Sequence, residues 1–90
     1  MHLSHIAFVN NKRNEAYLKA FGEHLRKLRK KEGMTMIELA FEADVEYSQI
    51  AKIERGLINT TISTVLVLSH ALKVKPADLL QFNFPPKAIK

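Results

Sequence analysis

Apolar residues along this chain recur at three- and four-residue spacing, and a cap residue or a glycine breaks the recurrence at short intervals. Spacing of that kind lines one face of a helix. No segment alternates strongly with period two, apart from a possible short strand among the first dozen residues. The chain is therefore expected to be all-α, built from five short helices with brief connections. At 90 residues it is one small domain.

The first helix is expected over about 14–31. Asn14 is its cap, Tyr17, Phe21, Leu25 and Leu28 form its stripe, and Gly33 lies just beyond its end. Thr35 and Glu38 have capping-box spacing, which starts a second helix over 36–43 with Leu39, Ala40 and Ala43 inward. Asp44 tolerates a left-handed backbone better than most residues, so a tight turn fits there. A third helix over 46–54 turns Ile50 and Ile53 inward and stops at Gly56. Asn59-Thr60-Thr61 is a loop, with Thr60 or Thr61 capping a fourth helix over 62–72. In that helix Ile62, Val65, Leu66, Leu68 and Leu72 are apolar, and Val67 is set away from the stripe of Ile62, Leu66 and Leu72. Pro76 suits the first turn of a fifth helix holding Leu79 and Leu80. Phe82 and Phe84 have no evident core slot, and Pro85-Pro86 ends regular structure. This divides the chain into an arm (1–13), a helical domain (14–84) and a tail (85–90).

Composition narrows the chemistry. There is no Cys, which excludes disulfides, zinc–thiolate sites and thiol nucleophiles and is compatible with a reducing, cytoplasmic setting. No stretch has the roughly 18 uncharged apolar residues of a membrane span. No basic segment followed by an apolar one marks a signal peptide. His2, His5, His24 and His70 lack the company a metal site needs, so no metal or other cofactor is expected. Ser63, Ser69 and His70 lack an orienting third group and an oxyanion loop. A domain this small rarely encloses a deep pocket, and an enzyme is not expected.

The formal net charge is +5, which suits nucleic acid, an anionic membrane or an acidic protein as partner. It is unevenly placed. Residues 1–33 hold eight Lys and Arg against three acids, densest at Arg26, Lys27, Arg29, Lys30 and Lys31. Residues 34–56 hold two against five, and residues 57–90 four against one. A basic run is equally well a solvated helix face.

The second and third helices, with the short turn between them, have the pattern of a helix-turn-helix. The second helix of such a unit projects from an edge and fits the major groove, about 12 Å wide. From Phe21 to Leu80, two thirds of the chain, the sequence resembles the Cro/repressor-like (XRE-type) helix-turn-helix family. The resemblance is carried by Leu25-Arg26, Arg29, Gly33, Thr35, Glu38-Leu39-Ala40, Ile50, Ile53-Glu54-Arg55-Gly56, Ala71-Leu72, Val74 and Asp78-Leu79-Leu80. Asn59 to Val65 has a weaker similarity to restriction–modification controller proteins.

The resemblance implies base contacts from Tyr47, Ser48 and Lys52, with Gln49 either at a base edge or exposed. Thr35 and Met36 would present backbone N–H groups to a phosphate at the second helix's start. Arg55 would face a phosphate or lie over the third helix's end, and Asn59 would touch the DNA backbone. Arg29 and Glu54 would pair across the core as scaffold. The chain departs from the family pattern at Met36 (often Gln), Asp44 (Gly), Glu46 (Ser or Thr), Leu57 and Ile58 (Lys or Arg), and Lys73 (Gly). Glu46 would face phosphates unless it caps the third helix.

The expectation is a sequence-specific DNA-binding transcriptional regulator, a homodimer on two half-sites of double-stranded DNA. No membrane association and no small-molecule effector are expected. The interface is expected along the fourth and fifth helices and the tail, with Val67, Leu57, Ile58, Phe82 and Phe84 contributing. Ile6, Phe8 and Val9 of the arm are the other means of covering that surface. The alternative is a protein-interaction module on the same fold, such as an antitoxin or bridging factor.

Overall fold

The computed structural model describes residues 13–84, so the expectations for the arm's first twelve residues and for the tail lie outside it. Among the described residues there are four α-helices and one 3-10 helix, with no strand. They are α1 (Glu15–Lys31), α2 (Met36–Ala43), α3 (Tyr47–Glu54), α4 (Ile62–Ala71) and the 3-10 helix (Pro76–Leu80).

α1, α2 and α4 begin where short polar side chains satisfy otherwise unpaired N–H groups. Asn14 Oδ1 accepts from Tyr17 N–H at 2.9 Å. Thr35 Oγ1 accepts from Glu38 N–H at 3.0 Å, while Glu38 Oε1 accepts from Thr35 N–H at 2.8 Å, closing a capping box. Thr61, rather than Thr60, caps α4 by accepting from Thr64 N–H at 3.1 Å. The last element is a 3-10 helix and not a fifth α-helix. Pro76 opens it, Asp78 Oδ2 ties back to Lys75 N–H at 2.9 Å, and five residues complete only a tight turn or two.

One core joins all five elements: Phe21 and Leu25 from α1, Leu39, Ala40 and Ala43 from α2, Ile50 and Ile53 from α3, Val65 and Leu68 from α4, then Leu72 and Leu79. Fully burying each large side chain contributes about 1.5–3 kcal/mol. α4 buries only part of its expected apolar set. Val65, Leu68 and Leu72 are buried, whereas Ile62 is 81% exposed and Leu66 45%. The helix is apolar nearly all round, so spacing alone does not choose its inner side. Ser69 sits in the core because its Oγ donates to Leu66 O at 2.7 Å, leaving no unpaired polar atom there.

Phe82 and Phe84 do have a place. The Tyr17 ring lies 5.2 Å from Phe82 and 5.0 Å from Phe84, edge-on to the latter, and His24 lies 5.4 Å from Phe82. The chain after the 3-10 helix is thereby folded back on α1, and His24 Nε2 bonds Asp78 O at 2.7 Å. These aromatics are half-buried against α1.

α3 lies close against α1 at Gly22. A Cβ there would stand 2.6 Å from Glu54 O, a distance real Cβ atoms do not reach. Gly56 ends α3 with a left-handed φ of 74°, and its missing side chain leaves room for Lys19 Cα. Lys73 adopts a left-handed φ of 61° where glycine would be unstrained.

Candidate nucleic-acid interface

The α2–α3 unit depends on a three-residue turn, Asp44 to Glu46. Asp44 takes φ 56°, ψ 46°, the left-handed conformation expected of it. Asp44 N–H donates to Phe41 O at 3.3 Å and Val45 N–H to Ala40 O at 3.0 Å, which closes α2. Glu46 O then accepts from Gln49 and Ile50 N–H, and α3 starts at once.

Ile50 and Ile53 hold the inner side of α3. Ser48, Lys52 and Arg55, four and three residues apart, are exposed and form an outward ridge along the opposite side. Tyr47 and Gln49 lie off that ridge. They line an open groove of about 650 Å³ with Phe41, Asp44, Glu46 and Val67, between the turn and α4. Asn59 is exposed in the loop before α4. Met36 is half-buried and packs on the core, so its side chain does not project, whereas the α2 N-terminus it begins does. Glu46 makes no side-chain capping bond to α3. It stays exposed, beside the groove that it lines with Tyr47 and Gln49.

The orientation of α3 is secured from behind. Arg29 Nε donates to Glu54 Oε2 at 2.6 Å and Nη2 to Oε1 at 3.0 Å, a two-pronged pair with both side chains buried. Arg29 Nη1 also donates to Met34 O at 2.8 Å, which reaches the segment leading into α2. The Glu54 hydrogen bond raises the Arg29 pKa above the ordinary arginine value, against an opposing effect of burial. One cation thus links α1, α2's approach and α3.

Arg29 and Glu54 also floor a cleft of about 230 Å³ at the seam of the three helices, with Arg26, Met36, Ala51 and Arg55 around it. Arg55 therefore shares a cleft with Arg26 beside the α2 N-terminus. Sequence reading left Arg26 as one base among five in a run. The available signal was its position three residues before Arg29, on the next turn of α1. Among the described residues no group of three or more His, Asp or Glu side chains could hold a metal ion. None of the described helices is long and apolar enough to cross a membrane.

Comparison with known proteins agrees with this arrangement. A helix-turn-helix family profile matches residues 25–79. Control protein C.BamHI of Bacillus amyloliquefaciens is 41% identical over 64 residues, which cover 70% of this chain and 79% of that protein. The restriction-modification controller protein C.AhdI of Aeromonas hydrophila superposes with TM-score 0.68 at 35% identity, over 69% of this chain and 94% of that one. The clp gene regulator ClgR of Corynebacterium glutamicum gives TM-score 0.68 at 31% identity, over 71% of this chain and 82% of that one. With its turn, its paired Arg29 and Glu54 and its outward α3 ridge in place, the chain belongs to the Cro/repressor-like (XRE-type) helix-turn-helix family of DNA-binding transcriptional regulators.

Proposed function

We propose that this regulator binds as a homodimer to a two-half-site operator, with α3 in the major groove. The observation that carries the reading is the ridge of Ser48, Lys52 and Arg55, exposed on α3 and held from behind by the buried Arg29–Glu54 pair. Ser48 and Lys52 are assigned to base edges, where Lys donates to guanine O6 and N7 and Ser reads either a donor or an acceptor. Tyr47 and Gln49 reach the groove's flank from the first turn. Thr35 and Met36 offer the α2 N-terminus to a phosphate, Arg55 adds a cation beside it, and Asn59 takes the neighbouring backbone.

One short helix reads only about four or five base pairs, so specificity needs two copies about one helical turn apart. Ile62 and Leu66 on α4, with Leu80 of the 3-10 helix, expose an apolar surface around a recess of about 360 Å³. We assign the two-fold interface there, whereas Val67 lines the groove beside Tyr47 and Gln49. C.AhdI is a restriction-modification controller protein, and the same class of target, the genes of a restriction–modification system, is proposed for this chain. The folded unit is proposed to be residues 14–84.

The test is binding to DNA upstream of the chain's own gene against mixed-sequence DNA, over a range of salt. Preferential binding to the upstream DNA that weakens steeply with salt is expected. Equal, weak binding to both would overturn the reading.

One observation favours a second reading, a protein-interaction module. Ile37 is 68% and Phe41 82% exposed, one turn apart on the outer side of α2. Under that reading, Phe41→Ser abolishes binding of a protein partner and leaves DNA binding intact.

A further inference from the structure

Glu46 is the one residue of the α3 start that opposes DNA on simple electrostatic grounds. It sits at the cap position (φ −57°, ψ 140°), where a serine or threonine would close the first turn, and it does not do so. Its carboxylate is exposed and makes no hydrogen bond or ion pair with any described residue. The backbone is not what requires an acid here. The Glu46 carbonyl does the structural task, accepting from Gln49 N–H at 3.0 Å and Ile50 N–H at 3.1 Å. The α3 N-terminus favours a negative charge, which accounts for tolerance of Glu46 but not for a direction of its side chain.

In a helix-turn-helix the first residues of the recognition helix meet base edges. A carboxylate brought there is acceptor-only and must find a donor or remain uncompensated. The major groove offers amino donors on cytosine N4 and adenine N6 alone. Adenine sets an N7 acceptor beside its amino group, which repels a carboxylate, whereas cytosine presents only the amino group.

The geometry points to Glu46 as a specificity-determining residue that accepts a hydrogen bond from a cytosine amino group at one position of each half-site. This rests on the proposed DNA reading. The same carboxylate then disfavours guanine and thymine at that position, whose groove edges carry only acceptors, and it lowers affinity for DNA in general. Discrimination is obtained partly by repulsion.

The experiment is selection of bound sites from DNA randomised over the half-site, with the full chain, Glu46→Gln and Glu46→Ala. Thermal melts confirm that all three fold. The parent is expected to enrich cytosine at one position by about tenfold. Glu46→Gln should move that position to adenine, which a glutamine amide pairs through N6 and N7, and Glu46→Ala should abolish the preference. A general loss of repulsion cannot produce the switch to adenine. If the parent selects a defined site and both variants select the same one, merely binding every sequence more tightly, Glu46 is only repulsive and the assignment is overturned. If the parent selects no site, the DNA reading fails and this inference fails with it.

Discussion

Replacing Arg29 by alanine is the substitution whose cost follows most directly from the geometry. Glu54 is bonded twice by Arg29, at 2.6 and 3.0 Å, and its side chain is only 5% exposed. The carboxylate is left buried and unpaired, and Met34 O loses its donor as well. Breaking such a pair from one side costs about 3–5 kcal/mol. In a domain of this size each kcal/mol lowers the melting temperature by about 4–8 °C. Arg29→Ala should therefore melt more than about ten degrees below the parent, a large part of a total stability of about 5–15 kcal/mol. Lys27, exposed on the opposite side of α1, serves as the control, and Lys27→Ala should melt with the parent. The pair can also be removed from both sides. Arg29→Met with Glu54→Leu strands no charge and should recover most of the loss. Circular dichroism melts of the four proteins decide the matter. An Arg29→Ala melt within a degree of the parent, or a double variant no better than Arg29→Ala, would refute the reasoning.

Gly22→Ala should cost at least about 1–3 kcal/mol in urea unfolding, because the new methyl must push α1 from the α3 backbone. Lys73→Gly should raise stability by about 1 kcal/mol, since it relieves the left-handed φ of 61° and gives up only an exposed 3.5 Å ion pair with Glu32; a fall in the urea midpoint contradicts this. Lys52→Ala should relax base preference at one position per half-site by about 1–3 kcal/mol, whereas an equal loss for all sequences would make Lys52 a phosphate contact. Leu66→Glu should give monomers by sedimentation at micromolar concentration and lose operator binding while keeping the parent's melting behaviour; a persistent dimer places the interface elsewhere.

The elements most legible in the sequence were those set by local chemistry. Thr35 and Glu38 act within one turn, and Asp44 adopts its backbone conformation by itself, so spacing is enough to locate α2 and the turn. The features that escaped depend on partners far along the chain. Gly22 in a helix is locally only an unfavourable residue, and the meaning of its missing side chain appears when Ile53 and Glu54 arrive against it. Phe82 and Phe84 looked unplaced because their partner, Tyr17, is in the first turn of α1. α4 carries Ile62, Val65, Leu66, Val67 and Leu68, so its period holds no direction, and only packing against α2 and the 3-10 helix selects Val65 and Leu68. The site divides the same way. The pairing of Arg29 with Glu54 came from family resemblance and not from their separation in sequence. The split of Tyr47 and Gln49 from the Ser48–Lys52–Arg55 ridge required the helix in place.

The distribution of charge ties the proposed dimer to the proposed DNA contact. In the proposed complex, residues 34–56 set Lys52 and Arg55 towards DNA against five acids. Two of those acids are already engaged, Glu54 by Arg29 and Glu38 by the α2 cap. Asp44 and Glu46 remain exposed beside the reading surface, whereas Glu42 lies in a separate cleft with Glu32 and Lys73. Phosphate attraction supplies most non-specific affinity, so on the proposed reading a single copy with few cations and two free carboxylates there holds random DNA weakly. The bases of α1, with Arg26 nearest through its cleft with Arg55, offset this only in part. Two copies joined through α4 double the favourable contacts without a second loss of translational freedom. Occupancy of the operator then depends on the square of the chain's concentration wherever free chains are monomers. On the proposed reading the regulator responds steeply to its own accumulation, and the acidic residues beside the reading surface keep the single copy from responding first.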